Sequence, residues 1–185
     1  MTRLATLSLA ALVALALAGC GNKVDTAIVG ETEGIYVGVD GLTYQVQISR
    51  ILEPASEEDQ GYLRGIPEDE AEPATDEVWF GIFMRVENET DEELPAAEEF
   101  VIHDTQETEY EPLELDPEMN AFVYEPGPVG PGKLLPPPNS PPSDNTIQGA
   151  LLLFKVSVES LGNRPLELEI TSARGGDNAI VELDV

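Results

Sequence analysis

Chemically versatile side chains are almost missing from this chain of 185 residues. Cys20 is its one cysteine, His103 its one histidine, and lysine occurs only at positions 23, 133 and 155. A single cysteine excludes an intramolecular disulfide. With one imidazole and one thiol, a zinc site of the usual His and Cys donors cannot be assembled. A Ser-His-Asp arrangement would have to run through His103. The adjacent Asp104 does not help, because consecutive side chains on a strand point to opposite faces. Copper would need methionines, but Met84 reads as core and leaves Met119 beside His103. No GxGxxG, P-loop, HExxH or EF-hand spacing occurs. Carboxylates for a glycosidase-type pair are plentiful, yet nothing singles out two among 36, and aromatic residues are only 6% of the chain. The expectation is a protein without enzymatic activity or cofactor.

Negative charge is what the chain has in excess. Thirty-six acidic residues face nine basic ones, for a net charge of −27 at pH 7. Such a surface repels nucleic acid and anionic lipid head groups, so neither is an expected partner. Three readings remain: hard-cation binding by clustered carboxylates, steering of a cationic partner, or plain solubility in a salty habitat. For calcium the candidate ligands are Glu87, Asp91 and Glu92, with the 57–70 stretch as a second acidic run.

The start of the chain is of another kind. Arg3 is followed by an apolar run from Leu4 to Ala18 and then by Leu17-Ala18-Gly19-Cys20. The run is short for a membrane span and ends in small residues, as a cleaved export signal does. Leu17-Ala18-Gly19-Cys20 resembles the lipobox of bacterial lipoproteins. The resemblance implies removal of residues 1–19, a diacylglycerol on the Cys20 thiol, and an extracytoplasmic domain held to the membrane by lipid. Residues 20–33, polar and without a period, read as the lipidated tether. Its reach is at most about 45 Å at roughly 3.3–3.6 Å per residue.

The remainder, 34–185, reads as one domain of short strands. Ile35–Val39 and Leu42–Leu52 flank Asp40-Gly41, a hairpin signal, because both residues tolerate the positive φ of a type I′ turn. Leu42, Tyr44, Val46, Ile48 and Leu52 alternate with polar residues, which predicts one buried face. Residues 53–77 form a long acidic loop around an apolar island, Tyr62–Ile66; it is either a functional loop or an insertion pinned by that island. Val78–Val86 is apolar on both faces and predicts a central strand. Phe100–Asp104 and Glu109–Leu113 predict a second hairpin, 116–124 a helical turn, and Gln148–Val158 a second central strand. The prolines of 126–142 predict an extended surface segment without central strand or helix. That segment is either a docking site for a proline-reading partner or a stiff crossover. Leu166–Thr171 and Ala179–Leu183 close the chain.

Seven or eight strands without a helical period fit an immunoglobulin-like antiparallel β-sandwich. The strand ending in Val86-Glu87-Asn88, the Phe100–Asp104…Tyr110 unit and Gln148–Val156 together resemble the telokin-like, immunoglobulin-like domains of bacterial lipoproteins and cell-surface proteins. That resemblance implies an interaction or sensing domain. The expected function is a membrane-anchored, non-enzymatic binding module of the cell envelope with an envelope protein as partner. The 53–77 loop and the proline segment are the expected contact surfaces. The alternative is a calcium- or solute-binding sensor using loop carboxylates.

Overall fold

The computed structural model describes residues 27–70 and 72–185. The signal-like stretch 1–19, Cys20 and the first part of the tether lie outside the described residues. In chain order the strands are β1 (Val29–Gly30), β2 (Tyr36–Val39), β3 (Leu42–Leu52), β4 (Glu77–Glu87), β5 (Leu94–Pro95), β6 (Phe100–His103) and β7 (Glu109–Tyr110). There follow β8 (Pro128–Val129), β9 (Leu134–Leu135), the one-turn helix α1 (Pro141–Asp144), β10 (Ala150–Ser157), β11 (Leu166–Ile170) and β12 (Ala179–Leu183). One sheet has the order β10-β4-β3-β2, with β9 on the end of β4, and the other β1-β12-β11-β6-β7. The expected all-β, immunoglobulin-like sandwich is the architecture found. Its strands pair antiparallel except where β1 joins β12 in parallel, and the isolated bridges Ala27–Val37 and Val123–Leu151 are parallel as well.

Strand β4 lies between β3 and β10 and is covered on both faces, as its composition requires. Phe80, Ile82, Met84 and Val86 meet Phe100, Ile102, Leu168 and Val181 of the second sheet in the main core. Trp79 and Phe83 point the other way, into a second cluster with Tyr62, Leu115, Leu151 and Leu153. The island Tyr62–Ile66 thus belongs to the core: Tyr62 packs edge-on to Phe83 at 4.9 Å between centroids. Two ion pairs fasten the same loop, Arg50 with the buried Asp59 and Lys155 with Glu70, and Lys155 also sits 5.4 Å over the Trp79 ring.

The Asp40-Gly41 hairpin forms as its chemistry predicts, with φ of 55° and 90° at the two turn residues. Elsewhere the structure corrects the expectations. A bulge between Val46 and Ile48 breaks the register of β3 on β4. Beyond it the faces exchange: Leu52 joins the second cluster and Ile48 is exposed, because one extra residue flips every later side chain. Residues 27–33, expected to be tether, belong to the fold. Ala27 already bridges Val37, β1 pairs with β12, and Glu33 accepts the Ser49 and Asp184 amides at 3.0 and 3.1 Å.

Strand β10 is buried but ends its sheet. Its outer edge is taken by irregular chain, with Leu113 N–H donating to Leu153 C=O at 2.7 Å and Tyr124 N–H to Leu151 C=O at 2.8 Å. The 116–124 stretch makes one turn, closed by Asn120 N–H on Asp116 C=O at 2.9 Å. In the proline segment Pro141 and Pro142 open α1, where their missing N–H groups cost nothing. The helix is a departure from the expectation for this segment, whereas its strands are not central: β8 pairs only with β5 and β9 only with the end of β4, over two residues each.

Gly149 immediately precedes β10 with φ of +119°, and a Cβ there would stand 2.8 Å from Met84 N and 2.9 Å from the Phe83 carbonyl carbon. Gly149→Ala is therefore expected to lower the unfolding free energy by about 1–3 kcal/mol, read as a lower urea midpoint. An unchanged midpoint would contradict this account of the β10 entry.

Candidate binding groove

A wide concavity arises where the chain passes from one sheet to the other. Strand β7 pairs with β6 as Ile102↔Tyr110 and His103↔Glu109. Continuing that register puts Pro112 opposite Phe100, and proline has no N–H to offer. The chain leaves there, and Leu113 bonds to β10 in the other sheet. Between the abandoned start of β6 and the crossing segment lies an open groove of about 730 Å³. Its apolar lining includes Phe100, Leu113, Leu115, Val123 and Leu151. Glu98, Glu99, Glu111, Glu114 and Glu125 also line it, all exposed, and no basic side chain among the described residues does.

The floor is held stiffly. Ala97 N–H donates to Tyr44 Oη at 2.7 Å, and Tyr124 Oη donates to Ala97 C=O at 2.9 Å. Both tyrosines are buried, and Phe100 meets the Tyr124 ring edge-on at 5.1 Å. Burial pushes the Tyr44 phenol up to about 12, the bond from Ala97 offsetting part of the rise, and pushes Tyr124 further up still. Neither ionises near neutral pH, so the clamp is a fixed pair of neutral hydroxyls.

The residues singled out by the sequence are elsewhere. Cys20 lies outside the described residues. Glu87 has its carboxylate 3.9 Å from Arg85, and Asp91 and Glu92 are exposed on the following loop. Asn88, fully buried, stitches that loop: its amide donates to the Glu92 and Val129 carbonyls at 2.7 Å each, and its oxygen accepts Thr90 N–H at 2.9 Å. The loop carboxylates are thereby left apart, and among the described residues no three acidic, His or Cys side chains gather around a cation position. Asn88 was legible only as Asn-x-Thr, a pattern that favours a self-bonded turn.

His103 and Asp104 turn apart as strand alternation requires. His103 is half-buried, with Nε2 3.3 Å from Glu169 and Nδ1 3.7 Å from Glu109. Asp104 is buried and accepts the amides of Gln106 and Thr108 at 2.8 and 2.9 Å and the Asn163 side chain at 3.2 Å. Burial alone would raise its pKa, but the bonds from Thr108, Ser160, Gln106 and Asn163 together hold it well below the usual carboxylate range. The proline segment borders a smaller hollow of about 200 Å³, with Arg85, Pro136 and Pro138 among its lining. No helix among the described residues is long and apolar enough to cross a membrane.

No protein-family model and no curated protein matches this chain. Among solved structures, the yjhA protein of Bacillus subtilis is similar at 10% identity and a TM-score of 0.49, over 83% of this chain and 99% of that one. An uncharacterized β-sandwich protein of Clostridium difficile shares 10% identity at a TM-score of 0.43, over 84% and 95%. A candidate lipoprotein of Bacillus subtilis, ycdA, shares 13% at 0.49, over 80% of this chain but 38% of its own.

Two outcomes follow from the site's chemistry. Tyr124→Phe leaves the buried Ala97 carbonyl without its donor and is expected to cost about 1–3 kcal/mol in denaturant unfolding. Asp104 has its pKa lowered in the folded state, so its contribution is present at neutral pH and is lost as pH falls through and below about 4. Asp104→Asn should accordingly flatten the acid limb of stability against pH, and an unchanged limb would contradict the assignment.

Proposed function

We propose that this chain is an exported lipoprotein, acylated at Cys20, whose β-sandwich is a non-enzymatic binding module for another component of the cell envelope. The observation that carries the anchoring is Leu17-Ala18-Gly19-Cys20 at the end of an apolar run, in a chain with no other cysteine. The fold begins by Ala27, a reach from Cys20 of at most about 25 Å at roughly 3.3–3.6 Å per residue. Lipid on Cys20 would therefore hold the domain close to the bilayer surface.

The fold supports a binding role through the position of its groove. The chain enters at β1, on the lateral edge where β1 and β12 lie against β2. The groove borders the opposite edge, where β7 lies against β10. A module tethered through β1 thus carries its groove on the far side from the entry strand. The carboxylates around the groove are also repelled by anionic head groups, which favours the same orientation.

Cys20→Ser tests the anchor. The variant is expected to fold normally by circular dichroism, to lose incorporation of labelled fatty acid, and to move from the membrane pellet to the soluble extracytoplasmic fraction. A Cys20→Ser protein that still sediments with membranes would refute lipid anchoring.

A further inference from the structure

We infer that the groove takes an extended, basic peptide segment of a partner protein, added as a strand beside β6. The inference rests on reading the domain as a binding module. Its first support is the direction of the β6 backbone. Thr171 N–H donates to Glu99 C=O at 3.1 Å, so Glu99 turns its backbone groups toward β11. In an antiparallel ladder the next residue turns the other way, which aims the Phe100 N–H and C=O at the groove. Two residues on, Ile102 uses that direction to pair with Tyr110. At Phe100 the register supplies Pro112, which has no N–H, and the chain has already turned away. Strand addition exploits such an edge, with main-chain bonds giving affinity and alternate side chains giving specificity.

The second support is charge complementarity. The groove carries Glu98, Glu99, Glu111, Glu114 and Glu125 without a basic side chain among the described residues, on a chain whose net charge is −27. A second copy of the chain is repelled by this field, whereas a basic segment is steered in. An extended peptide with lysine or arginine at alternate positions would set its cations toward the carboxylates. Its intervening aliphatic side chains would meet Leu113 and Val123, the half-buried apolar part of the lining. The groove volume is that of a pocket for a ligand of drug or short-peptide size.

The full chain in detergent can be titrated against a labelled, end-capped peptide of alternating lysine and valine, about six residues long, with fluorescence anisotropy as the readout. Saturable binding is expected, weakened at least tenfold when E98Q, E99Q, E111Q, E114Q and E125Q are combined. The same peptide with alternate backbone amides N-methylated should bind at least tenfold more weakly, because its charge is kept while its strand edge is blocked. Equal binding of the N-methylated peptide would overturn strand addition. Spermine binding as tightly as the parent peptide would overturn the peptide assignment in favour of a small polycation. Absence of peptide binding, or binding unchanged by the five glutamines, would overturn the groove as its site. The titration needs no membrane attachment, so its failure would leave lipid anchoring standing, and membrane retention of Cys20→Ser would leave the titration standing.

Discussion

Phe80, Ile82, Met84 and Val86 need cover on one side of β4, and Trp79 and Phe83 need it on the other. Each such side chain left in water forfeits about 1.5–3 kcal/mol, so a strand of this composition folds only inside three layers. The second sheet supplies one cover. The other cover is not a sheet, and two irregular segments do the work: the island at 62–66 and the crossing chain at 113–123. The long acidic loop is therefore a piece of the core with a solvated skin. Its ion pairs, Arg50–Asp59 and Lys155–Glu70, fasten it at two points on the sheet it covers.

The groove follows from the same requirement. Leu113 and Leu115 can cover Phe83 and Leu151 only if the chain abandons β6 after two residues of pairing. Pro112 makes the departure inexpensive, since no ladder donor is lost there. What remains is a short unpaired edge beside an apolar wall. The Tyr44–Ala97–Tyr124 clamp fixes the backbone just ahead of that edge, so the opening does not collapse for want of a neighbour. Packing on one face of β4 thus creates the concavity at the end of the other sheet.

Much of this architecture was legible from local pattern. The two-faced run around Phe80–Met84, the Asp40-Gly41 turn and the alternation of β11 each declare themselves within ten residues. The bulge at residue 47 did not, because the hydrophobic spacing of β3 runs on through Ile48, past the bulge, and is interrupted only at Arg50, while the faces exchange in space. Residues 27–33 looked like tether because a parallel edge pair needs only backbone groups, and Glu33 binds amides that no spacing reveals. The groove was illegible for a different reason. Its carboxylates come from segments around 98, 111 and 125, and each alone is indistinguishable from solvated surface. The acidic loop at 87–93 looks denser in sequence, yet Asn88 turns it into a closed loop with outward side chains.

Edges decide how such a sandwich behaves toward other chains. An unpaired strand is a template for adding any strand, including one from a second copy, and sheets protect themselves by covering or charging it. Here the outer edge of β10 is covered by residues 113 and 122–124, whereas the start of β6 is charged. Lysine is the commoner guard at an edge, but at the start of β6 this chain uses glutamate. The choice of sign matters. A lysine-guarded edge on a strongly acidic protein would attract further copies of that protein, while a glutamate-guarded edge repels them and stays open to a basic strand. In the proposed reading, the acidity of the groove is also what selects between a second copy of the chain and a basic partner.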